Sequence, residues 1–342
     1  SVVATAVVAL SVLGVRAIDT LYDVVISGQD TQAKLLYQTR NFFSIMRVLE
    51  VYPDDPEMHH VMLKHGTTNH GRQFHRRDLR RVPVAYFGIY TGMGMVMHQR
   101  PKTPMHVGVM GLGAGVLAAY GRGGDRYQFY EIDPDVIRVA RDAGYFSYLA
   151  DSRAAIEIVP GDARLSLERQ LREGGSQNFD LLIMDAFSSD SVPVHLITLE
   201  AMELYLQHLK PNGVLVVHIS NVNLDLGPLV FRLAAEFGMH AVKIGNMPFP
   251  RRLQSGANWM ILSQDAAYIE SFPPVAEQVR AILRLKPRGL TVRYPEELNL
   301  TDAPLWTDDY SDLFSVLRVP SWKHLWAPPE PAAESSEAPK SN

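Results

Sequence analysis

Three acids stand just beyond short apolar runs, where a chain alternating strands and helices would bring them side by side. Glu131 closes the run from Tyr127, Asp162 follows Ile156 to Val159, and Asp185 follows Phe179 to Met184. A glycine-rich turn, Gly111-Leu112-Gly113-Ala114-Gly115, follows Val107 to Met110 in the same way. Glycines at such a junction let the backbone turn sharply and let a nucleoside approach without a Cβ in the way. A carboxylate ending the next strand, here Glu131, can accept hydrogen bonds from both hydroxyls of a ribose. A bare Gly-x-Gly-x-Gly is weak. Followed by a strand that ends Glu131-Ile132-Asp133-Pro134, it selects a nucleoside-binding α/β domain. An acid at a strand end often only caps the next helix, and Asp185 can be read so. The ring of acids at neighbouring strand ends favours a functional role.

The elements that must position these groups follow from the pattern. Val107 to Met110 is too short for a helix and is bounded by Gly, which predicts a buried strand. A short helical run, the turn Gly121 to Gly124 and the strand Tyr127 to Glu131 come next. Asp133 is placed to cap a helix with Pro134 at its first position, running to about Asp142. Strands at Ile156 to Val159, Phe179 to Met184 and Val214 to Ile219 alternate with helices from Ala163 to about Arg172 and from Thr198 to Leu209. This spacing predicts a parallel sheet wound on both faces. His240 to Ile244 and Trp259 to Leu262 predict an antiparallel pair at its edge.

Ahead of this domain, Phe42 to Tyr52 and Met58 to Lys64, separated by Pro53-Asp54-Asp55-Pro56, predict antiparallel strands of a small N-terminal module. His65 to Phe74 reads as a polar, Gly-containing loop, too long for a plain hairpin turn and of a kind that carries function. His65, His70 and His75 lack carboxylates at ligand spacing, so they read as solvated or hydrogen-bonding rather than metal-binding. Pro83 to Met97 predicts a helix leading into the core domain, with Tyr86 on it and Met93, Met95 and Met97 packing. The basic cluster His75 to Arg81 reads as a solvated face, a membrane-surface contact being the sharper alternative.

The 342 residues suit one large domain and a smaller one, and 46% hydrophobic residues can bury a sizeable core. A net charge of −4 offers no basic field for nucleic acid. Without cysteine there are no disulfides, thiolate metal sites or Cys nucleophile. Ser1 to Val15 is almost wholly apolar, shorter than the roughly 20 residues of a membrane span. It fits the end of a truncated membrane helix, a signal-peptide core or a buried helix; with no n-region ahead of it, the first is favoured. The division expected is 1–17 apolar segment, 18–100 N-terminal β module and connecting helix, 101–326 nucleoside-binding α/β domain, and 327–342 disordered tail.

The glycine loop, Glu131-Ile132-Asp133, Gly161-Asp162-Ala163 and Asp185 thus fall at the carboxyl edge of the expected sheet, where open α/β sheets bind ligands. This order resembles the class I S-adenosylmethionine-dependent methyltransferase-like (Rossmann-like) fold. Within it the chain resembles spermidine synthases (polyamine aminopropyltransferases), and more closely the spermidine-synthase-like domains fused to bacterial membrane segments, over roughly Asn41 to Leu317. The residues that carry the likeness are HGTTNHGRQ from His65, GLGAG from Gly111 with YEIDP from Tyr130, GDA from Gly161 and DAFSSDSVPVHLIT from Asp185. PFPRRLQSG from Pro248 and WTDDYSDL from Trp306 add to it more loosely.

The resemblance implies a donor, S-adenosylmethionine or its decarboxylated form, held by Gly111, Gly113, Gly115, Glu131, Ile132, Asp162 and Ala163. Glu131 would take the ribose, Asp162 and Ala163 the adenine edge, and Gln73 would reach the donor. Asp185 matches the first aspartate of the synthase motif D-S-S-D, which takes a proton from the attacking amine as methylthioadenosine is displaced; general-base catalysis contributes typically about 10²–10⁴-fold. Asp190 matches the second aspartate and would hold the far end of a cationic amine, although Ser188 to Ser191 also reads as a turn or cap. Tyr86 matches a tyrosine at the amine site. Asp308 and Asp309 match a family feature and equally a solvated turn. Implied partners are a small-molecule amine and a second copy (a dimer), with no metal and no nucleic acid. The implied setting is bacterial, cytoplasmic or membrane-associated through the N-terminus.

The chain departs from the pattern at Ala114, where synthases carry an aspartate that pairs with the donor's amino group. It departs again at Phe87, Gly88 and around Phe42, which replace polar residues. Methyl or aminocarboxypropyl transfer from S-adenosylmethionine, and a nucleoside-binding sensor domain without turnover, stay open as alternatives.

Overall fold

The computed structural model describes residues 32–318 apart from 44, 67, 187–192, 284–288, 298–299 and 301. Ser1 to Val15, Asp190 and the tail from 327 lie outside these residues. Among those described, no helix is long and apolar enough to cross a membrane.

The N-terminal module is a four-stranded antiparallel sheet: β1 (Ala33–Arg40), β2 (Ile45–Val51), β3 (His60–His65) and β4 (Thr68–Phe74), in that order. Two of these differ from expectation. β1 begins before Phe42; its side chains are mostly exposed, so no apolar alternation marks it. His65 to Phe74 is largely strand rather than loop. Its polar composition hides this because β4 packs Gly71 on the glycine loop of the second sheet, where a Cβ on Gly71 would sit 2.5 Å from that of Ala114. The expected helix from Pro83 is also divided. Ala85–Phe87 is a single 3₁₀ turn, and α1 (Gly92–Gln99) starts only after Thr91, whose hydroxyl caps Gly94 N at 3.2 Å. Ala85 has φ of 54°, and a Cβ at Gly88 would meet Gln254 Oε1 at 2.6 Å. Tyr86 is therefore presented from a turn. Met93, Met95 and Met97 are buried, as packing residues should be.

The second sheet has eight strands: β5 (His106–Met110), β6 (Arg126–Glu131), β7 (Ala155–Pro160), β8 (Phe179–Met184), β9 (Leu209–His218), β10 (His240–Asn246), β11 (Ala257–Ser263) and β12 (Leu290–Arg293). Their order is β12-β10-β11-β9-β8-β5-β6-β7. β7, β6, β5, β8 and β9 run parallel, and β11, β10 and β12 pair antiparallel. The β10–β11 pair forms as expected, but the four-residue β12, too short to signal itself, covers its outer side.

Helices α2 (Pro134–Ile137), α3 (Ala163–Gly174), α4 (Leu199–His208), α5 (Gly227–Glu236) and α6 (Phe272–Leu283) cover the sheet. Asp133, Asp162 and Thr198 cap α2, α3 and α4 through their side chains. Val109, Ile183 and Val216 pack on one face with α1 and α6, together with Met46 and Val48 of β2. Leu182, Leu215 and Val217 pack on the other with α4 and α5. Burial on both faces accounts for the nearly continuous apolar runs of the parallel strands.

The register does the positioning. Met110 pairs with Tyr130 and Met184, and Met184 pairs with Val217. One residue further on, Gly111, Glu131, Asp185 and His218 therefore stand in a row along one edge.

Candidate functional site

Gly111, Glu131 and Asp185 of that row line a cavity of about 180 Å³, to which His70 of β4 and Tyr86 also contribute; His218 stands behind Asp185. The cavity's two ends are built differently.

At one end the backbone dominates. Gly111 has φ of +99°, and a Cβ there would lie 2.5 Å from the carbonyl oxygen of Asp185. Only glycine accommodates both constraints. Glu131 is 9% exposed; its two oxygens accept from Leu112 N at 3.0 Å and Asp133 N at 2.9 Å. Burial raises its pKa to about 7 against the pull of these donors. Asp162 spends Oδ1 on Leu165 N at 2.9 Å and meets His195 Nε2 with Oδ2 at 2.9 Å. Gly113, Ile132 and Ala163 complete this wall.

At the other end side chains dominate. Asp185 Oδ1 lies 2.6 Å from His218 Nδ1, and the Tyr86 hydroxyl also donates to this carboxylate. His218 Nε2 lies 2.7 Å from Ser220 Oγ, which already accepts Asn258 N–H at 2.8 Å. The hydroxyl hydrogen of Ser220 is then free to point at Nε2, which leaves the imidazole proton on Nδ1, facing Asp185. The ring stacks against Tyr86 at 4.5 Å and 21° and against Trp259 at 4.4 Å and 23°. Trp259 is the cross-strand partner of His218, and its Nε1 donates to Tyr86 O at 3.1 Å. Burial raises the pKa of Asp185, opposed by His218 and Tyr86. The arrangement is a buried carboxylate held by two side-chain donors, with its pKa raised, at the wall of the cavity.

His65 and His70 form a further part of the wall, their rings 4.4 Å apart. They are buried rather than solvated, and neither Nε2 has a hydrogen-bond partner. Burial pushes His70 down to about 3 and lowers His65 as well. Among the described residues no group of three or more acids and histidines is placed to hold a metal ion.

Gly111, Gly113, Glu131, Ile132, Asp162, Ala163, Asp185 and Tyr86 all reach this one cavity. Gly115 does not line it; a Cβ there would meet Leu149 at 3.1 Å, so the position serves packing. Gln73 is also absent from the lining. Its Nε2 donates to Arg80 O at 2.8 Å and Ser147 Oγ at 2.9 Å, and its Oε1 accepts Ser147 N at 2.8 Å, which ties β4 to the second sheet's helical layer. Asp308 is more than a solvated turn: it accepts from Arg164 at 2.6 Å and Thr198 Oγ1 at 2.8 Å, behind Asp162. Sequence reasoning missed His218 and Trp259. One signal was there for His218, which ends the run Val214 to Val217 just as Asp185 ends Phe179 to Met184.

No protein-family model matches the chain. A stretch of 125 residues, 36% of the chain, is 29% identical to the polyamine aminopropyltransferase of Vibrio vulnificus (strain CMCP6) and spans 40% of that relative's length. A probable spermidine synthase from Corynebacterium glutamicum ATCC 13032 superposes with a TM-score of 0.58 at 13% identity, over 81% of this chain and 98% of that one. The spermidine synthase of Thermotoga maritima superposes at 0.47 and 17% identity, over 75% and 86%. The first of these two carries the assignment of fold. The chain has the α/β fold of that probable spermidine synthase, a four-stranded antiparallel sheet ahead of a mixed eight-stranded one, with a distant sequence likeness to a polyamine aminopropyltransferase.

Proposed function

We propose that the protein is a transferase that moves an alkyl group, aminopropyl in the first instance, from a sulfonium nucleoside to a small-molecule amine. The observation that supports this most is the sharing of one cavity by Glu131 and Asp185, with the glycine loop between them. Glu131 accepts both ribose hydroxyls, and Asp162 and Ala163 face the adenine. The sulfonium then points toward Asp185 and Tyr86. The amine nitrogen attacks the carbon next to sulfur; the C–N bond forms as the C–S bond breaks, and its electron pair goes to sulfur. The sulfonium becomes the neutral thioether methylthioadenosine, and the amine proton passes to Asp185. The raised pKa of Asp185 makes it a better base for this step, and His218 and Tyr86 orient its carboxylate at the cavity wall.

The test is to incubate the protein with S-adenosylmethionine or its decarboxylated form and a panel of amines, then identify the nucleoside released. Methylthioadenosine supports alkyl-chain transfer. S-adenosylhomocysteine would make the protein a methyltransferase, and donor binding with neither product would make it a sensor.

A further inference from the structure

We infer that His195 sets the base selectivity of this cavity by holding Asp162, and that Asp308, outside the cavity, positions His195 through Arg164. This deepens the nucleoside reading given above and rests on it. A carboxylate that takes the ribose, as Glu131 does in that reading, serves every ribonucleoside alike, so discrimination between bases falls to the Asp162 end. A carboxylate only accepts hydrogen bonds. An exocyclic amine on the base can donate to it, whereas a carbonyl at the same place meets its lone pairs.

Such a carboxylate discriminates only if its orientation is fixed. Oδ1 of Asp162 is held by Leu165 N at 2.9 Å, and Oδ2 by His195 Nε2, also at 2.9 Å. Because the acid can only accept, the imidazole carries its proton on Nε2. Oδ2 keeps a second lone pair, which is left for the base. Asp162 and His195 both line the cavity. The side chain of His195 is 52% exposed, so packing does not hold it, but its backbone is tied down. Arg164, in the first turn of α3, donates from Nη1 to His195 O at 2.8 Å and to Thr198 Oγ1 at 3.3 Å. Arg164 is itself fixed by Glu168 at 3.0 Å and by both oxygens of Asp308, with Nη1 to Oδ1 at 2.6 Å. A guanidinium and a carboxylate paired in this way are held in direction as well as distance. Asp308 also accepts from Thr198 Oγ1 at 2.8 Å, and its N–H donates to Glu200 at 2.9 Å. The segment that carries His195 is therefore fastened from behind by two residues, Arg164 and Asp308, that do not line the cavity.

The experiment is a calorimetric titration of the full chain with methylthioadenosine and methylthioinosine, which carry an amine and a carbonyl at the same place on the base. The parent is expected to bind methylthioadenosine at least about tenfold more tightly. General loosening of the structure lowers both affinities and leaves their ratio alone, so the ratio reports positioning. His195→Phe should cut the ratio about threefold or more, and His195→Gln, which keeps an N–H, should retain most of it. Asp308→Ala should cut it in the same direction. Combined with His195→Phe it should cut it no further, since both act through one contact. Equal binding of the two nucleosides by the parent overturns the inference and leaves the nucleoside site standing. An unmoved ratio in His195→Phe overturns the role of His195. An unmoved ratio in Asp308→Ala, or independent effects in the double variant, overturns the role of Asp308. Binding of neither nucleoside by the parent overturns both this inference and the proposed function. Asp308→Asn, which keeps an acceptor for Thr198, replaces the alanine variant should that one fail to fold.

Discussion

The two ends of the cavity differ in how they are made. The Glu131 end is backbone turned inward by a few consecutive residues: Gly111 and Leu112 from one turn, Glu131 to Asp133 from the next strand end. The Asp185 end is side chains from distant segments, Tyr86, Asp185, His218 and Trp259, held by ring stacking and hydrogen bonds. Backbone donors in a fixed turn recognise whatever presents the right hydroxyls. A clamped carboxylate is built to handle a proton. The first end suits binding and the second suits turnover, so a mutation at one should leave the property of the other largely intact.

The sharpest way to break this contrast is Asp185→Asn, which is nearly isosteric yet cannot accept a proton. Turnover should fall by about 10²-fold or more while affinity for methylthioadenosine changes by only a few fold, measured by product formation and calorimetry. An equal loss in both would make the two ends one unit.

His218→Phe comes next. It keeps a ring against Tyr86 and Trp259 but removes the N–H that holds Asp185. His218 and Tyr86 lower the pKa of Asp185, so losing one raises it further. In the proposed mechanism Asp185 works ionised, so the acid limb of the kcat/KM profile should move to higher pH and the maximum should fall by about tenfold, the scale of one lost hydrogen bond to a charged group. His218→Gln, which can donate again, should restore part of the shift. An unmoved profile in the Phe variant would detach His218 from the reaction.

At the binding end the pH dependence has a definite sign. Burial holds the pKa of Glu131 at about 7, and the proposed ribose contact uses its ionised form. Affinity for methylthioadenosine should therefore rise by roughly tenfold in all from pH 6 to pH 8, most of it below pH 7, and level off above. The stability linkage runs the other way. The native state holds this proton in the window between the usual carboxylate range and about pH 7, so the group's contribution to stability declines as pH rises through that window. Glu131→Gln should flatten both curves, checked by calorimetry and thermal unfolding across pH.

Gln73→Ala should have the smallest effect on function. It removes three hydrogen bonds to Ser147 and Arg80, for a loss of about 1–3 kcal/mol of stability with nucleoside affinity unchanged. A large loss of affinity without destabilisation would return Gln73 to the donor site.

The same contrast explains what could be read from the sequence. The glycine loop, Glu131 and Asp162 were legible because each follows an apolar strand directly, and parallel strands end on one edge. The place of Asp185 was legible for the same reason. His218 obeys the rule too, yet a histidine after an apolar run raises no alarm when the residues around it supply no second acid. Trp259 could not be placed, because it reaches the edge from a strand running the opposite way, and its register with His218 is set by the whole antiparallel pair. β4 went unread as a strand because it lies so close to Ala114 and Val116 that only glycine fits at 71, and its other buried positions include His70 and Gln73 rather than valine and isoleucine. Tyr86 was expected on a helix since glycines at 88, 92 and 94 weaken a helical pattern without marking where it breaks.

The close approach of β4 to the glycine loop also bears on how such a protein can change over time. Gly71 leaves no room for a methyl group before Ala114, and Asn41 Nδ2 reaches across to Asp133 at 2.8 and 2.9 Å and to Asp135 at 3.1 Å. The small sheet is thus not an accessory that could be traded for another by recombination. A large sheet that inherited a foreign partner would meet a mismatched wall at position 114 and lose the bracing of the acids beside Glu131. Positions 71 and 114 are bound to drift together or to stand still.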